Sequence, residues 1–180
     1  KHIKISSLRR HFGQMLQDVF LFAGDIRSNI VLRPDNVSDE EVWQACRYVN
    51  ADSFIKKLEG GLNETVREQG NNFSAGQRQL LSFARTIIHK PSVMILDEAT
   101  ASVDPENEVY LQQAISTLVK DKTLIVIAHR LSTIRDAEQI LVIDNGKLVQ
   151  HGKHDELVLQ EGIYQKYWNI RQNAKAWKVA

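Results

Sequence analysis

Short apolar runs separated by polar segments mark the strands of this chain, and the most informative run covers residues 93–96 (VMIL). It follows Pro91 and is too short for a helix, so it predicts a strand buried on both faces of a parallel sheet. Asp97 and Glu98 come directly after it. Ligands of open α/β sheets bind beyond the carboxyl ends of the strands, and unpaired charge near a core is costly. The two acids therefore indicate a functional site, with a solvated Asp-Glu turn as the alternative.

A second apolar run, residues 123–128 (TLIVIA), predicts a second buried strand. Between the two runs, Asp104 is a predicted N-cap and Pro105 the first residue of a helix. Strand, helix and strand in this order form a right-handed parallel unit. His129 then follows the second strand as Asp97 ends the first. A histidine in this place is usually structural, but two neighbouring strands that both end in titratable groups favour a site.

Helical spacing dominates the middle of the chain. Ser38 and Glu41 form a capping box in front of a predicted helix, and Asp52 is predicted to cap a short second helix. This polar-faced helical region lies between segments that predict strands. We therefore expect a helical lobe inserted between strands of the sheet.

Ser74 and Gln77 form another capping box, at the start of a helix that ends before Pro91. The first turn of such a helix presents free backbone N–H groups and the positive end of the helix dipole, which together attract anions. Gly76 keeps that turn free of a side chain, so an anion could approach closely. A purely structural cap is the alternative interpretation of Ser74.

The two ends of the chain give weaker patterns. Residues 2–5 alternate and predict a strand, and a further short strand is predicted to run into a loop that carries Gln17. On local evidence alone, Gln17 is a surface amide.

Residues 139–150 predict an antiparallel hairpin at the sheet edge, turning at Asn145-Gly146. Aromatic and apolar residues at helical spacing in residues 163–177 predict a helix docked on the domain, with a dimer contact as the alternative. His151 and His154 lack the partners of a metal site, so we expect both to be solvated.

The composition is that of an ordinary globular domain, with 43% hydrophobic and 25% charged residues in a chain of 180. A net charge of +1 gives no general nucleic-acid footprint. The single cysteine, Cys46, excludes an internal disulfide and fits a reducing compartment. No apolar run approaches the roughly 18 residues of a membrane span. The chain starts abruptly inside an alternating pattern, so we expect a fragment.

Four segments follow one another in characteristic order and spacing over nearly the whole chain: LQDVFLF (16–22), NFSAGQRQLLSFAR (72–85), VMILDEATASVD (93–104) and IAHRLST (127–133). They resemble, in this order, the Q-loop, the signature, Walker B with the D-loop, and the H-loop of the nucleotide-binding domain of ABC transporters, and more narrowly of the exporter type. Glu68 lies in the segment that precedes the signature in exporters.

The resemblance implies an α/β, P-loop NTPase-like (RecA-like) fold with a mostly parallel sheet core, an inserted α-helical subdomain and an edge β-hairpin. The whole chain would be part of one ABC ATPase domain. Its core lobe would cover about residues 1–25 and 91–160, its helical subdomain about 26–90, and its C-terminal helix about 161–178.

The resemblance also implies roles for the residues near the strand ends. Asp97 would hold Mg²⁺, and Gln17 would approach the same ion and sense the transmembrane partner. Glu98 would polarise the attacking water, and His129 would contact the γ-phosphate and keep that water in line. Phosphoryl transfer depends mainly on positioning and charge stabilisation, so this division of roles is chemically reasonable.

The signature segment would serve the nucleotide held by the opposite subunit, through Ser74, Ala75, Gly76 and Gln77. Asp104 would cross the dimer interface and link the two sites. The family usually has Gly-Gly after the serine, whereas this chain has Ala75 and Gly76. The methyl group of Ala75 is expected to weaken this contact without abolishing it, and this variant makes an unequal, heterodimeric transporter an alternative to a homodimer.

A larger departure is the absence of any G-x-x-x-x-G-K-[ST] sequence, the glycine-rich loop that cradles phosphates. In the family this loop lies shortly before the strand at which this chain begins. The isolated chain is therefore expected to bind ATP weakly and to be inactive as an ATPase. A GKS or GKT sequence directly before Lys1 in the parent protein would indicate truncation rather than degeneracy.

The resemblance thus implies the motor domain of an ABC exporter that hydrolyses ATP with Mg²⁺. Its partners would be a second nucleotide-binding domain, in a homodimer or heterodimer, and the coupling helices of a transmembrane domain, at the cytoplasmic face of a membrane. No nucleic-acid partner is expected. The alternatives are a nucleic-acid-associated ABC ATPase of the repair or translation type and a non-catalytic regulatory ABC module.

Overall fold

The structure is a computed structural model of the chain. It describes residues 3–16, 19–32, 36–97, 115, 122–127 and 134–176, with side chains up to residue 170. The chain divides into two compact units, Lys1–Ile127 and Ala128–Ala180. Within the described residues, no helix combines the length and the apolar character that a membrane span requires.

The first unit contains most of the regular structure. Its helices are α1 (Ile5–Arg10), α2 (Ile26–Val31), α3 (Asp39–Tyr48), α4 (Asp52–Ile55) and α5 (Ala75–Ile87). Its strands are β1 (Phe12–Met15), β2 (Gly24–Asp25), β3 (Thr65–Val66), β4 (Val93–Asp97) and β5 (Thr123–Ile127). Two short 3₁₀ helices cover Gly61–Asn63 and Glu68–Gly70.

A parallel sheet forms the centre of the first unit, in the order β1-β4-β5. The two strands predicted from apolar runs are confirmed, as is their parallel pairing. The predicted burial on both faces is wrong for β5, because Ile125 and Ile127 are each 48% exposed. The helix predicted between them lies outside the described residues, apart from Ile115, which is helical and buried.

The strand predicted at residues 2–5 is wrong, because helix α1 already begins at Ile5. Ile3 and Ile5 are 74% and 67% exposed, so their alternation reflects no buried face. The first strand is β1, the short strand predicted before the Gln17 loop, in which Gly13 and Met15 are buried and Phe12 and Gln14 are exposed. Alternation over four residues predicts a strand only when a core is available to one side of it.

One continuous core joins the helices to the sheet. Helix α5 packs against α2, α3 and β1. Each large apolar side chain that is fully buried in this core stabilises the fold by about 1.5–3 kcal/mol. The predicted subdomain boundary near residues 26 and 90 does not coincide with the division into compact units, and it stays a prediction. The largest fully buried side chains are Phe83, Met15, Leu21, Ile26, Ile30, Ile55, Leu80, Leu81, Met94 and Leu96.

Helix α3 begins with the predicted capping box. The Ser38 N–H donates to Glu41 Oε2 at 3.1 Å, and the Glu41 N–H donates to Ser38 Oγ at 3.3 Å. The bond from the Ser38 backbone lowers the pKa of Glu41. The predicted cap of α4 is wrong: Ala51 is the N-cap, and Asp52 lies in the first turn, where Lys56 Nζ donates to its carboxylate at 2.7 Å.

The second unit contains an antiparallel hairpin and two helices. Strands β6 (Ile140–Asp144) and β7 (Lys147–Gly152) pair with each other in a two-stranded sheet, followed by α6 (His154–Leu159) and α7 (Ile163–Ala176). Asn145 and Gly146 turn the hairpin with φ values of 47° and 75°, as a tight two-residue turn requires. The predicted hairpin and C-terminal helix are confirmed, whereas the position of the hairpin at the sheet edge stays a prediction.

His154 is buried, so the prediction that both histidines are solvated is wrong for this residue. Its Nδ1 lies 2.8 Å from Tyr164 Oη, and its ring centroid lies 4.5 Å from that of Trp168. The reason is its position: His154 opens α6 and faces α7, where a hydroxyl satisfies the ring nitrogen. His151 is exposed, as predicted.

Gly13 leaves no room for a side chain. A Cβ atom there would lie 2.6 Å from Thr86 Cγ2 and 2.9 Å from Pro91 Cγ. We predict that Gly13→Ala lowers the free energy of unfolding by about 1–3 kcal/mol through overpacking. Urea unfolding of the chain measures this effect. In the double variant Gly13→Ala/Thr86→Ser, which removes the nearer methyl group, the loss should be smaller; an equal or larger loss would contradict the steric explanation.

Tyr164→Phe should destabilise the second unit by about 1–3 kcal/mol, because it leaves Nδ1 of buried His154 without its hydroxyl partner. Burial also raises the pKa of Tyr164, so the folded chain keeps the phenol proton at a pH at which the unfolded chain loses it. The free energy of unfolding should therefore fall as the pH rises above about 10. The variant should lack this alkaline loss. Urea unfolding at neutral and alkaline pH, followed by tryptophan fluorescence, tests both statements; identical alkaline profiles for the two proteins would contradict the second.

Candidate functional site

The carboxyl ends of three parallel strands meet at one edge of the sheet. In register, Met15 of β1 lies opposite Leu96 of β4, and Asp97 lies opposite Ile127 of β5. Parallel pairing sends the continuing chain of all three strands out at this edge. It is the edge at which open α/β sheets bind their ligands.

Asp97 is the predicted site residue that the structure places directly at this edge. It is the last residue of β4 and is half-buried. The other predicted residues of the hydrolytic site follow these strands in the sequence, and they lie outside the described residues together with Asp104. Gln17 comes two positions after the end of β1, Glu98 one position after β4, and His129 two positions after β5.

The donor chemistry at this edge suits Mg²⁺. A carboxylate oxygen is the ligand that Mg²⁺ prefers, and the ion normally completes its shell with water and phosphate oxygens. Among the described residues, no group of three or more His, Cys, Asp and Glu side chains is arranged to hold a metal. Asp97 would supply one such carboxylate oxygen at this edge.

The second predicted anion site is the start of helix α5. Ser74 is the N-cap: its Oγ accepts a hydrogen bond from the Gln77 N–H at 3.1 Å, and Gln77 Oε1 accepts from the Ser74 N–H at 3.0 Å. Ser74 and Ala75 are exposed, whereas Gly76 is buried. The exposed surface of this turn thus consists of Ser74, Ala75 and the backbone, and each predicted cap side chain accepts from the backbone N–H of the other residue.

The turn before Ser74 is built to approach the segment that follows Gln17. Gly70 has a φ of 65°, which favours glycine, and a Cβ atom there would lie 2.7 Å from Leu21 Cδ1. Arg78 Nη1 donates to the Phe73 carbonyl oxygen at 2.6 Å and fixes the start of α5 against this turn. The signature region and the loop after β1 are therefore in direct contact.

Sequence reasoning missed two residues that organise this contact, Asn29 and Arg85. The side-chain amide of Asn29 pairs with the backbone of Phe22 as a strand would, accepting from its N–H and donating to its carbonyl oxygen, each at 2.8 Å. Arg85 Nη1 donates to the carbonyl oxygen of Phe20 at 3.0 Å. The signals in the sequence were an arginine at the end of the mostly apolar LSFAR segment and an asparagine directly before the apolar pair Ile30-Val31.

A protein-family model described as ABC transporter matches residues 1–101 of the chain. The chain belongs to the ABC transporter family. The exporter-type resemblance of the four motifs is confirmed by the relatives below, two of which have multidrug or exporter names.

The similar proteins are longer than this chain. It is 51% identical over 164 residues to the uncharacterised ABC transporter ATP-binding protein YknV of Bacillus subtilis. This match covers 91% of the chain and 27% of YknV. It is 46% identical over 168 residues to YheH of the same organism, named as a probable multidrug resistance ABC transporter ATP-binding/permease protein. That match covers 93% of the chain and 25% of YheH.

A solved structure shows the same fold. The structure of a bacterial Atm1-family ABC exporter with ATP bound matches with a TM-score of 0.87 and 35% identity. The match covers 94% of this chain and 30% of that one. The predicted P-loop NTPase-like α/β fold is thereby confirmed, and the chain spans less than a third of the length of these relatives.

Substitutions at Ser74 separate its role as a cap from a role in anion binding. Ser74→Ala should cost about 1 kcal/mol of stability, because it removes the acceptor for the Gln77 N–H. Ser74→Asp keeps an acceptor and adds a favourable charge at the helix N-terminus, so stability should be retained. That same charge should repel an incoming phosphate.

Urea unfolding of the chain and ATP-dependent dimerisation of the intact protein measure the two effects. Dimerisation at undiminished ATP affinity by the Ser74→Asp variant would mean that this turn does not face a nucleotide.

Proposed function

We propose that this chain is part of the ATP-hydrolysing motor domain of an ABC exporter. In this proposal, two such domains close head to tail around ATP and couple its hydrolysis to transport. The observation that carries it is the register of β1, β4 and β5, which brings the chain positions leading to Gln17, Glu98 and His129 to the edge occupied by Asp97. Family membership agrees with this assignment.

The proposed chemistry is displacement of the γ-phosphoryl group by water. Glu98 polarises the attacking water, and a general base within hydrogen-bond reach contributes about 10²–10⁴-fold to such a reaction. His129 holds the water and the γ-phosphate in line. Asp97 and Gln17 hold Mg²⁺, which neutralises charge on the phosphate oxygens when it is bound. The remaining acceleration comes from positioning, which the rigid sheet edge supports.

The proposed partner site is the exposed start of α5. Its free backbone N–H groups and helix dipole suit the phosphates of a nucleotide that is held by the other subunit. Exposure of Ser74 and Ala75 supports this role, because a turn buried within its own unit could not reach a second chain. Asp104 is proposed to link the two sites across the interface.

The proposed contact with a transmembrane domain lies shortly after Gln17 in the sequence. Phe20 and Phe22 form an edge-to-face pair with ring centroids 5.0 Å apart, and they are 50% and 52% exposed. Two exposed aromatic rings on one short segment favour a protein contact over a solvated surface. We assign this contact to the coupling helices of a transmembrane domain, which would place the chain at the cytoplasmic face of a membrane.

Glu98→Gln in the intact protein tests the proposal. The substitution preserves shape but removes the base, so hydrolysis should fall by about 10²-fold or more while ATP-dependent dimerisation persists. Steady-state phosphate release and size-exclusion chromatography with ATP measure the two properties. Phosphate release at the unsubstituted rate would remove Glu98 from its proposed role.

The isolated 180-residue chain provides a control in the same assays, because it lacks the G-x-x-x-x-G-K-[ST] cradle. It should bind ATP weakly and release no phosphate above background. Stoichiometric, tight ATP binding by this chain would contradict the importance assigned to the missing loop.

A further inference from the structure

Arg85 lies near the end of α5, the helix whose start at Ser74 is the proposed nucleotide-facing turn. Its guanidinium group donates three hydrogen bonds: Nε to the Asn29 carbonyl oxygen at 2.7 Å, Nη1 to the Phe20 carbonyl oxygen at 3.0 Å and Nη2 to Asn29 Oδ1 at 3.2 Å. One side chain thus binds both α2 and the segment that follows Gln17.

Asn29 completes this arrangement from the other side. It is 1% exposed, and its Nδ2 donates to the carbonyl oxygens of Phe22 and Asp25, at 2.8 Å and 3.0 Å. Its Oδ1 accepts from both the Phe22 N–H and Arg85. The amide therefore has all its hydrogen-bonding capacity in use, and removing any one partner would leave one of these four bonds unmade in a buried place.

The segment itself has no regular secondary structure. Residues 19–22 belong to no helix or strand, and Phe20 and Phe22 are about half exposed. On the inner side, Leu21 is buried, Val19 packs against the core, and hydrogen bonds from Asn29 and Arg85 hold the backbone. Desolvation lowers the pKa of Arg85, but a guanidinium remains charged throughout the physiological range.

We propose that Arg85, together with Asn29, is a positioning residue for hydrolysis: it ties the segment that carries Gln17 to helix α5. The nucleotide-facing turn at Ser74 and the segment after β1 would then move as one body when two subunits close. This inference rests on the proposed function and adds to it a residue that touches neither nucleotide nor metal.

Only arginine fits this role. Its planar fork reaches three acceptors in fixed directions, whereas a lysine ammonium at the same place can satisfy the charge but not the three acceptors together. Arg85→Lys is therefore the informative variant, because it keeps the charge and the length of the side chain. Asn29→Asp is the second variant, since it keeps the Oδ1 acceptor and removes both Nδ2 donors.

The test is a double-mutant cycle in the intact transporter, with kcat and KM for ATP hydrolysis measured for Arg85→Lys, Gln17→Ala and the pair. Arg85→Lys should lower kcat about tenfold and leave KM within about twofold. A tenfold effect that disappears in the Gln17→Ala background is a coupling energy in the range that connected residues show. If Arg85 acts through the segment of Gln17, the pair should be no slower than Gln17→Ala alone.

Thr86→Val is the matched control. Thr86 is the buried neighbour of Arg85, and its hydroxyl donates only within the helix, to the Ser82 carbonyl oxygen at 2.9 Å. Its effect on kcat should be small and should multiply with that of Gln17→Ala. Thermal unfolding of each variant separates loss of rate from loss of folded protein.

Three results would overturn the inference: an unchanged kcat in Arg85→Lys, an effect that multiplies fully with Gln17→Ala, or an equal loss in the control. If Arg85→Lys does not fold, the same cycle with Asn29→Asp decides by the same criteria. Failure of the proposed function has a different signature, because Gln17→Ala and Glu98→Gln would then hydrolyse ATP at the unsubstituted rate whatever Arg85 does.

Discussion

The parallel pairing of β1, β4 and β5 is the constraint on which the rest of the molecule depends. Because backbone hydrogen bonds fix the register, three separate segments of the chain leave the sheet at the same edge. A shift of one residue in β4 would move Asp97 from the edge and turn its buried neighbours Met94 and Leu96 to the other face. The proposed site would therefore have the precision of the sheet, although its proposed residues are distant in sequence.

Helix α5 connects this sheet to the helical part of the first unit. Its middle is buried against β1 and two helices, its start is exposed at Ser74, and its end binds the segment after β1 through Arg85. A rigid helix that is anchored at one end and exposed at the other can transmit a displacement along its length. This is the arrangement that a motor closing around a ligand requires.

Many of the helix starts and turns could be predicted from the sequence, because they depend on residues that are close together in the chain. The capping boxes at Ser38 and Ser74 depend on residues three positions apart, and the turn at Asn145 depends on two adjacent residues. Two of the failures depended on information that a local pattern does not contain. Residues 2–5 alternate without a core to face, and His154 is buried because Tyr164, in another helix, satisfies its ring nitrogen.

The sequence by itself determined the family, the strand that ends in Asp97, and the types of residue that phosphate chemistry needs. The family followed because four motifs occur in order, and the strand followed because an apolar run of four residues after a proline is too short for a helix. The tertiary structure alone decided that Arg85 meets Asn29 and Phe20, since these contacts join residues 56 and 65 positions apart. No local pattern encodes such a contact, because it exists only once α2 and α5 have packed.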